Sequence, residues 1–320
     1  MREKPFITLG TRGSPLAVAQ TEILAAALKE AHPELAEDGA IAIKTITTSG
    51  DKIQDRALLE AGGKGLFIKE IEEALFAGEI DMAVHSMKDV PAELPPEGEL
   101  SCILPREDPR DAFISVKYAS LKDLPDGATL GTAGIRRKAF ALAQRPDLKI
   151  VLFRGNVGTR LEKLQNGEAD ATFLAVAGLK RLGLEEKITA ALEPSEILPA
   201  AGQGAIGVEI RTGDDRCKNY LAPLHCKKTA LCIAAERGVV AVLDASCRTP
   251  IGAFATRDSN GATLTLRAAV ATEDGTEFWQ GSKTLPASTE AEAEKFGRIL
   301  GQELRGKIPE DVFKKITGRA

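Results

Sequence analysis

Three times in this chain a short apolar run gives way to a glycine turn marked by arginine, and then to an amphipathic stretch of helical period. The turns are residues 10–15 (GTRGSP), 131–134 (GTAG) and 155–158 (GNVG), accompanied by Arg12, by Arg136 and Arg137, and by Arg154 and Arg160. An apolar run this short, bounded by glycine, reads as a buried strand. A helix starting just after it offers free N–H groups and a positive dipole end, and guanidinium adds bidentate recognition of carboxylate or phosphate. One such turn says little, because glycine also closes any tight connection. Three of them with arginine, in two stretches of similar pattern, point to an anion-binding cleft.

The rest of the chain arranges itself around that pattern. Residues 6–9 read as a strand, 16–30 as an Ala/Leu-rich helix and 41–47 as a β-branched strand. A polar, glycine-containing loop follows at 50–65, then a helix at 68–77 with Ile68, Ile71 and Leu75 on one face, then a strand at 82–84. The charged segment 104–111 carries two prolines and suits a linker. Strands at 128–130, 149–153 and 171–175 form a second βα series, and 194–204 crosses back to a strand at 206–210. Beyond it lie a helix at 229–243 and strands at 251–256, 262–270 and 277–283. Hairpin turns at Asn260-Gly261 and Asp274-Gly275 join those strands, and a final helix spans 290–305. The fold class is therefore α/β, with two clam-shell domains like those of periplasmic binding proteins. A small α+β third domain carries an antiparallel sheet. The expected boundaries are 1–104 with 205–222, then 110–198, then 227–320.

At 320 residues the chain is long enough for two or three domains. Its 43% hydrophobic and 28% charged residues are those of a globular protein, and a net charge of −4 argues against a general nucleic-acid surface. There is no apolar signal core at the N-terminus and no run long enough to span a membrane, which leads to an expected cytoplasmic location. A plastid or mitochondrial origin with a trimmed transit peptide is compatible with the same reading. No coiled-coil heptads appear, and a monomer is expected. The five cysteines lack paired spacing and the three histidines are scattered, so neither a disulfide framework nor a metal site is indicated.

The chemistry concentrates at residues 81–91, DMAVHSMKDVP. Lys88 and Asp89 follow a buried strand, at the sheet edge where ligand loops gather. They offer a cation for an anionic group and a carboxylate for developing positive charge. The same pair also suits a solvated turn. His85, with no second catalytic partner in view, reads as a structural histidine. Cys247 lies on a loop beside Arg248, where a thiolate is favoured and covalent modification is feasible. The alternative is a small buried hydrophobe, which fits Cys102 and Cys232 well, while Cys217 and Cys226 read as peripheral. GGKG at 62–65 lacks the spacing and hydroxyl of a nucleotide P-loop, and neither GTAGIR nor GNVGTR is a dinucleotide fingerprint. A small polycarboxylate or phosphate ligand remains.

With those residues in hand, the chain closely resembles the porphobilinogen deaminase (hydroxymethylbilane synthase) family. GTRGSPLA, GGKGLFIKE, AVHSMKDVP, REDPRDAF, RGNVGTR, LAVAGLKRLG, PAAGQGA and SCRTPIG occur in family order from Gly10 to Gly252. The resemblance implies a transferase that joins four porphobilinogen molecules, losing ammonia each time, and releases hydroxymethylbilane by hydrolysis. It implies a dipyrromethane cofactor held through a thioether at Cys247; separately, no obligate protein partner is expected. Each pyrrole carries an acetate and a propionate, so the growing chain needs many cations. By position in the motifs, Lys88, Asp89, Gly134, Arg136, Arg137 and Arg160 correspond to cofactor-binding residues. Arg12, Ser14, Arg154, Asn156, Arg181, Lys64 and Phe67 correspond to substrate-binding ones. Asp89 is the implied catalytic carboxylate, steadying the methylene-pyrrolenine cation left when ammonia departs. Gly134 departs from a serine common in the family, Glu60 from a lysine, and Asp244-Ala245-Ser246 from a glycine-richer approach to the cysteine. Two other readings stay in view. One is a non-catalytic clam-shell binding protein for a small anion, which needs neither Cys247 nor a third domain. The other is a nucleotide-dependent enzyme, which the broken phosphate motifs oppose.

Overall fold

The computed structural model describes residues 6–52, 68–243 and 249–318. From the N-terminus the elements are β1 (Ile7–Arg12), α1 (Pro15–Ala31), β2 (Ile41–Ile46), α2 (Ser49–Lys52), α3 (Lys69–Phe76) and β3 (Met82–Ser86). Next come β4 (Gly98–Ile103), β5 (Asp111–Ile114), β6 (Thr129–Gly131), α4 (Ile135–Gln144), β7 (Lys149–Val151) and α5 (Val157–Gln165). They continue as β8 (Ala171–Ala175), α6 (Val176–Arg181), β9 (Ala190–Leu192), β10 (Ile206–Arg211), α7 (Asp215–Leu221) and α8 (Lys227–Val242). The chain closes with β11 (Ile251–Arg257), β12 (Thr263–Ala271), β13 (Phe278–Pro286), α9 (Glu290–Arg305) and α10 (Glu310–Thr317).

Two compact units result, one formed by residues 6–52, 68–107 and 205–230, the other by 108–204, 231–243 and 249–318. The first holds a five-stranded sheet in the order β2-β1-β3-β10-β4, the second one in the order β7-β6-β8-β5-β9. In each, three parallel strands are followed by one antiparallel strand and then an edge strand. The antiparallel member, β10 or β5, is the strand that begins just after the chain has crossed between units. The second unit also carries the three-stranded antiparallel sheet β11-β12-β13. Both α/β lobes of the expected scaffold are therefore present, together with the small α+β portion.

Burial explains the strand sequences. β3 reads MAVHS with its first four residues buried, because it is central in its sheet and covered on both faces. The first unit's core joins Ile7, Leu9, Leu24, Leu28, Met82, Val84, Val208 and Leu221. The small sheet builds its own core from α8, α9 and α10, including Leu231, Val239, Leu266, Phe296 and Phe313.

Several sequence expectations need correction. Gly10 and Gly131 are strand residues rather than turn residues. Each lies where a side chain overhead leaves no room: a Cβ at Gly10 would strike Ile80, and one at Gly131 would stand 2.5 Å from the Phe153 ring. Cys217 is not peripheral but fully buried in the first unit's core, where burial pushes its thiol up to about 12. The helix at 290–305 is not the last, since α10 follows it and buries Phe313 and Ile316. Asp111, read as part of a linker, opens β5 and is 0% exposed.

Candidate functional site

In the first unit the residues of interest stand at the C-terminal edge of the parallel strands, where open α/β sheets present their ligand loops. Arg12 ends β1, paired with Ile46 of β2. Ser14 caps α1, its hydroxyl accepting from the Ala17 N–H at 3.3 Å, and Pro15 occupies the first helical position, which needs no N–H. β3 ends at Ser86, whose hydroxyl meets the Gln20 amide within 2.9 Å. A helical turn then spans Met87–Asp89, pinned by the Met87 N–H donating to Ala205 O at 3.0 Å. Lys88 is exposed and Asp89 half-buried on this turn. His85 is 4% exposed with Nε2 at 3.0 Å from the Glu209 carboxylate, as a structural histidine would be.

The second unit carries more charge at its own corresponding edge. α4 starts at Ile135 after Gly134, whose N–H donates to Thr132 Oγ1 at 3.1 Å. Arg136 and Arg137 are nearly buried, and both reach Asp111. Arg136 Nη2 lies 2.7 Å from Asp111 Oδ2, and Arg137 Nη2 lies 2.7 Å from Asp111 Oδ1. Burial alone would raise the pKa of Asp111. The attraction of Arg136 and Arg137 and the hydrogen bonds from both outweigh that and hold its carboxyl well below the usual carboxylate range.

Asn156 caps α5 through its carbonyl oxygen, which accepts from the Thr159 N–H at 2.9 Å. Arg160 donates from Nε to Gly155 O at 2.9 Å. Burial, and then the like charges of Arg137 and Arg154, push the Arg160 guanidinium down to about 10. Arg137 and Arg154 therefore both stand near enough to Arg160 to repel it, and an anionic ligand would relieve that repulsion. Arg181, at the end of α6, donates from Nη2 to Gly204 O at 2.7 Å.

The structure thus brings Arg12, Ser14, Lys88 and Asp89 to one sheet edge, and Gly134, Arg136, Arg137, Arg154, Asn156, Arg160 and Arg181 to another. Ser14 and Asn156 serve as helix caps, a role for which a Ser or Asn just before a helix is the ordinary signal. Cys247, Lys64, Phe67 and Glu60 lie outside the described residues. The residue that sequence reasoning missed is Asp111. Its signal, an aspartate beside the first apolar residues after the prolines, was hidden among the other charges of REDPRD.

Comparison with known proteins identifies the chain's relatives. A family model described as "Porphobilinogen deaminase, dipyromethane cofactor binding domain" matches residues 7–219, and one for the C-terminal domain of the same family matches residues 230–306. A porphobilinogen deaminase of Nitrobacter winogradskyi is 52% identical over 97% of this chain and 96% of its own. A chloroplastic porphobilinogen deaminase of Oryza sativa subsp. japonica is 49% identical over 97% of this chain and 86% of its own. Among solved structures, a TRAP periplasmic solute binding protein from Desulfovibrio salexigens aligns over 68% of this chain and 72% of its own. At 14% identity and a TM-score of 0.40, that likeness is too slight to speak for fold or function.

Proposed function

The chain belongs to the porphobilinogen deaminase family, and on that premise we propose which of its residues perform the reaction. The protein is a transferase that polymerises four porphobilinogen molecules onto a dipyrromethane primer, with loss of ammonia, and releases hydroxymethylbilane by hydrolysis. The non-catalytic binding-protein reading is not favoured.

Asp89 is the catalytic carboxylate. A carboxylate at the pyrrole nitrogens of the substrate steadies the positive charge that develops as ammonia leaves, and can hold the proton there. The backbone turn that carries it is fixed at both ends, since Met87 donates to Ala205 O and Val90 donates back to Met87 O at 3.3 Å. Lys88, Arg136, Arg137 and Arg160, with the exposed Gly134 turn, hold the dipyrromethane carboxylates. Cys247 bears its thioether. When bound, that group supplies the pyrrole carbon to which the first substrate ring is joined. Arg12, Arg154 and Arg181 take substrate carboxylates, and Ser14 and Asn156 make auxiliary contacts beside their capping bonds. Lys64 and Phe67 are assigned to a covering loop on sequence alone.

The observation that carries this assignment is the gathering of cations at the helix starts of the second unit, with Arg136 and Arg137 on the first turn of α4 and Arg160 beside the start of α5, which suits a ligand with rows of carboxylates; burial first, and then the like charges of Arg137 and Arg154, depress Arg160 there. The domain division 1–104 with 205–222, 110–198 and 227–320 belongs to the same proposal, as do action as a monomer, in the cytoplasm, without nucleic acid or membrane. Among the described residues no helix is long and apolar enough to cross a membrane. A plastid setting is compatible, since relatives in rice and pea are named chloroplastic.

The test is Asp89→Ala. The half-exposed turn predicts a folded protein with stability within about 1 kcal/mol of the parent. Turnover should fall by roughly 100-fold or more, the scale of losing one preorganised charge contact. Near-normal turnover would remove Asp89 from the mechanism.

A further inference from the structure

Asp111 is an acid with no evident duty in joining pyrroles, yet it is itself fully buried and the hub of a cluster whose arginines are nearly so. Arg136 reaches Asp111 Oδ2 through Nη2 at 2.7 Å and Leu198 O through Nη1 at 2.6 Å. Arg137 reaches Asp111 Oδ1 through Nε and Nη2 at 3.1 and 2.7 Å, and Phe173 O through Nη1 at 2.8 Å. Gln203 donates from Nε2 both to Asp111 Oδ1 at 3.0 Å and to Pro109 O at 2.7 Å. Besides the arginines of α4 and Phe173 of β8, the members of the cluster come from 108–111 and 198–204, the stretches by which the chain enters and leaves this unit.

Consecutive helical residues point about 100° apart, so Arg136 and Arg137 have no intrinsic reason to aim together, and their like charges repel. Each guanidinium has five N–H donors, and the bonds above leave both with some to spare for a ligand. We infer that Asp111, backed by Gln203, is a positioning residue that fixes the aim of Arg136 and Arg137 toward the carboxylates of bound pyrroles and cancels one of their two charges. The inference rests on the reading that these two arginines hold the dipyrromethane. The depressed pKa of Asp111 accords with it, because the carboxylate stays ionised between its arginines.

Asp111→Asn keeps the shape and removes the charge. Three quantities are read in the full-length protein as purified: the fraction carrying the two-pyrrole mass, the KM for porphobilinogen and the unfolding midpoint. The control is Asp170→Asn. Asp170 stands just before β8, at the other end of the same sheet, where it accepts from the Thr129 N–H and hydroxyl, each at 2.7 Å. Misaimed guanidiniums should cost about tenfold in loading or in KM. Asp170→Asn should lose stability yet load and bind as the parent does. If Asp111→Asn loads and binds as Asp170→Asn does, the positioning role is overturned. Should Asp111→Asn fail to fold, Gln203→Leu makes the same test with an expected loss of about threefold, and parental behaviour there overturns the role equally. Normal loading in both Arg136→Ala and Arg137→Ala overturns the ligand reading itself. Defective loading in those two with normal loading in Asp111→Asn overturns only the positioning.

Discussion

At Gly134 the chain starts α4 with no side-chain cap, on an extended backbone of φ −88° and ψ 116° that any residue adopts. A Cβ there meets nothing closer than Arg137 Cδ at 3.7 Å, so a serine fits. Its hydroxyl would accept an N–H of the first helical turn, a gain of a few tenths of a kcal/mol over glycine, whereas alanine loses stability. The unfolding midpoint should therefore rank Gly134→Ser above the parent and Gly134→Ala below it, with a rise of about 1 °C for serine. An unchanged or reversed order would mean that a serine hydroxyl at 134 does not reach the first-turn N–H groups. The same scale separates the cysteines. Cys102 and Cys217 are buried, and burial first of all pushes both thiols up to about 12, which leaves them poor nucleophiles.

At the scale of elements, the turn that presents Lys88 and Asp89 depends on how β10 lies against β3. Gly207 of β10 pairs with His85, and a Cβ on it would strike the Met87 sulfur and stand 3.2 Å from Leu100. Met87 is 2% exposed and cannot swing into solvent without moving its neighbours. Gly207→Ala should cost about 1–3 kcal/mol from overpacking. Because the strain falls on the residue preceding Lys88-Asp89, turnover should drop by roughly 10- to 100-fold. Parental turnover in a destabilised Gly207→Ala would show that the turn is insulated from β10. This dependence was invisible in the sequence, for a physical reason. The longer helices, the central strands and the hairpin turns at Gly261 and Gly275 were legible because period and turn chemistry are local properties. The antiparallel strands β4 and β5 did not stand out, since GELSCI opens on polar residues with no clear alternation and β5 begins inside a charged, proline-bearing segment. Gly10 and Gly131 are small because of distant side chains, so their neighbours in the sequence suggested a turn instead. The arginines at the helix starts were legible as an anion-binding pattern. Asp111 was not, since a buried acid looks like a surface one until its partners from α4 and residue 203 are in place.

Over the whole molecule, 46 acidic and 42 basic residues leave a net charge of −4, so the attraction proposed for a polycarboxylate has to come locally, from the cations of the two sheet edges. Each five-stranded sheet repeats the same order, and each delivers its helix starts and cations to the C-terminal ends of its parallel strands. The second unit adds the antiparallel sheet, with α8 leading toward the segment that contains Cys247. What joins these parts into one account is the covalent primer proposed at that cysteine. The measurement that tests it most directly is the intact mass of the purified protein, followed by mapping of the peptide spanning 246–252. The account predicts an added mass of two linked pyrrole units on Cys247. An unmodified Cys247 that gains no pyrrole after incubation with porphobilinogen would contradict it.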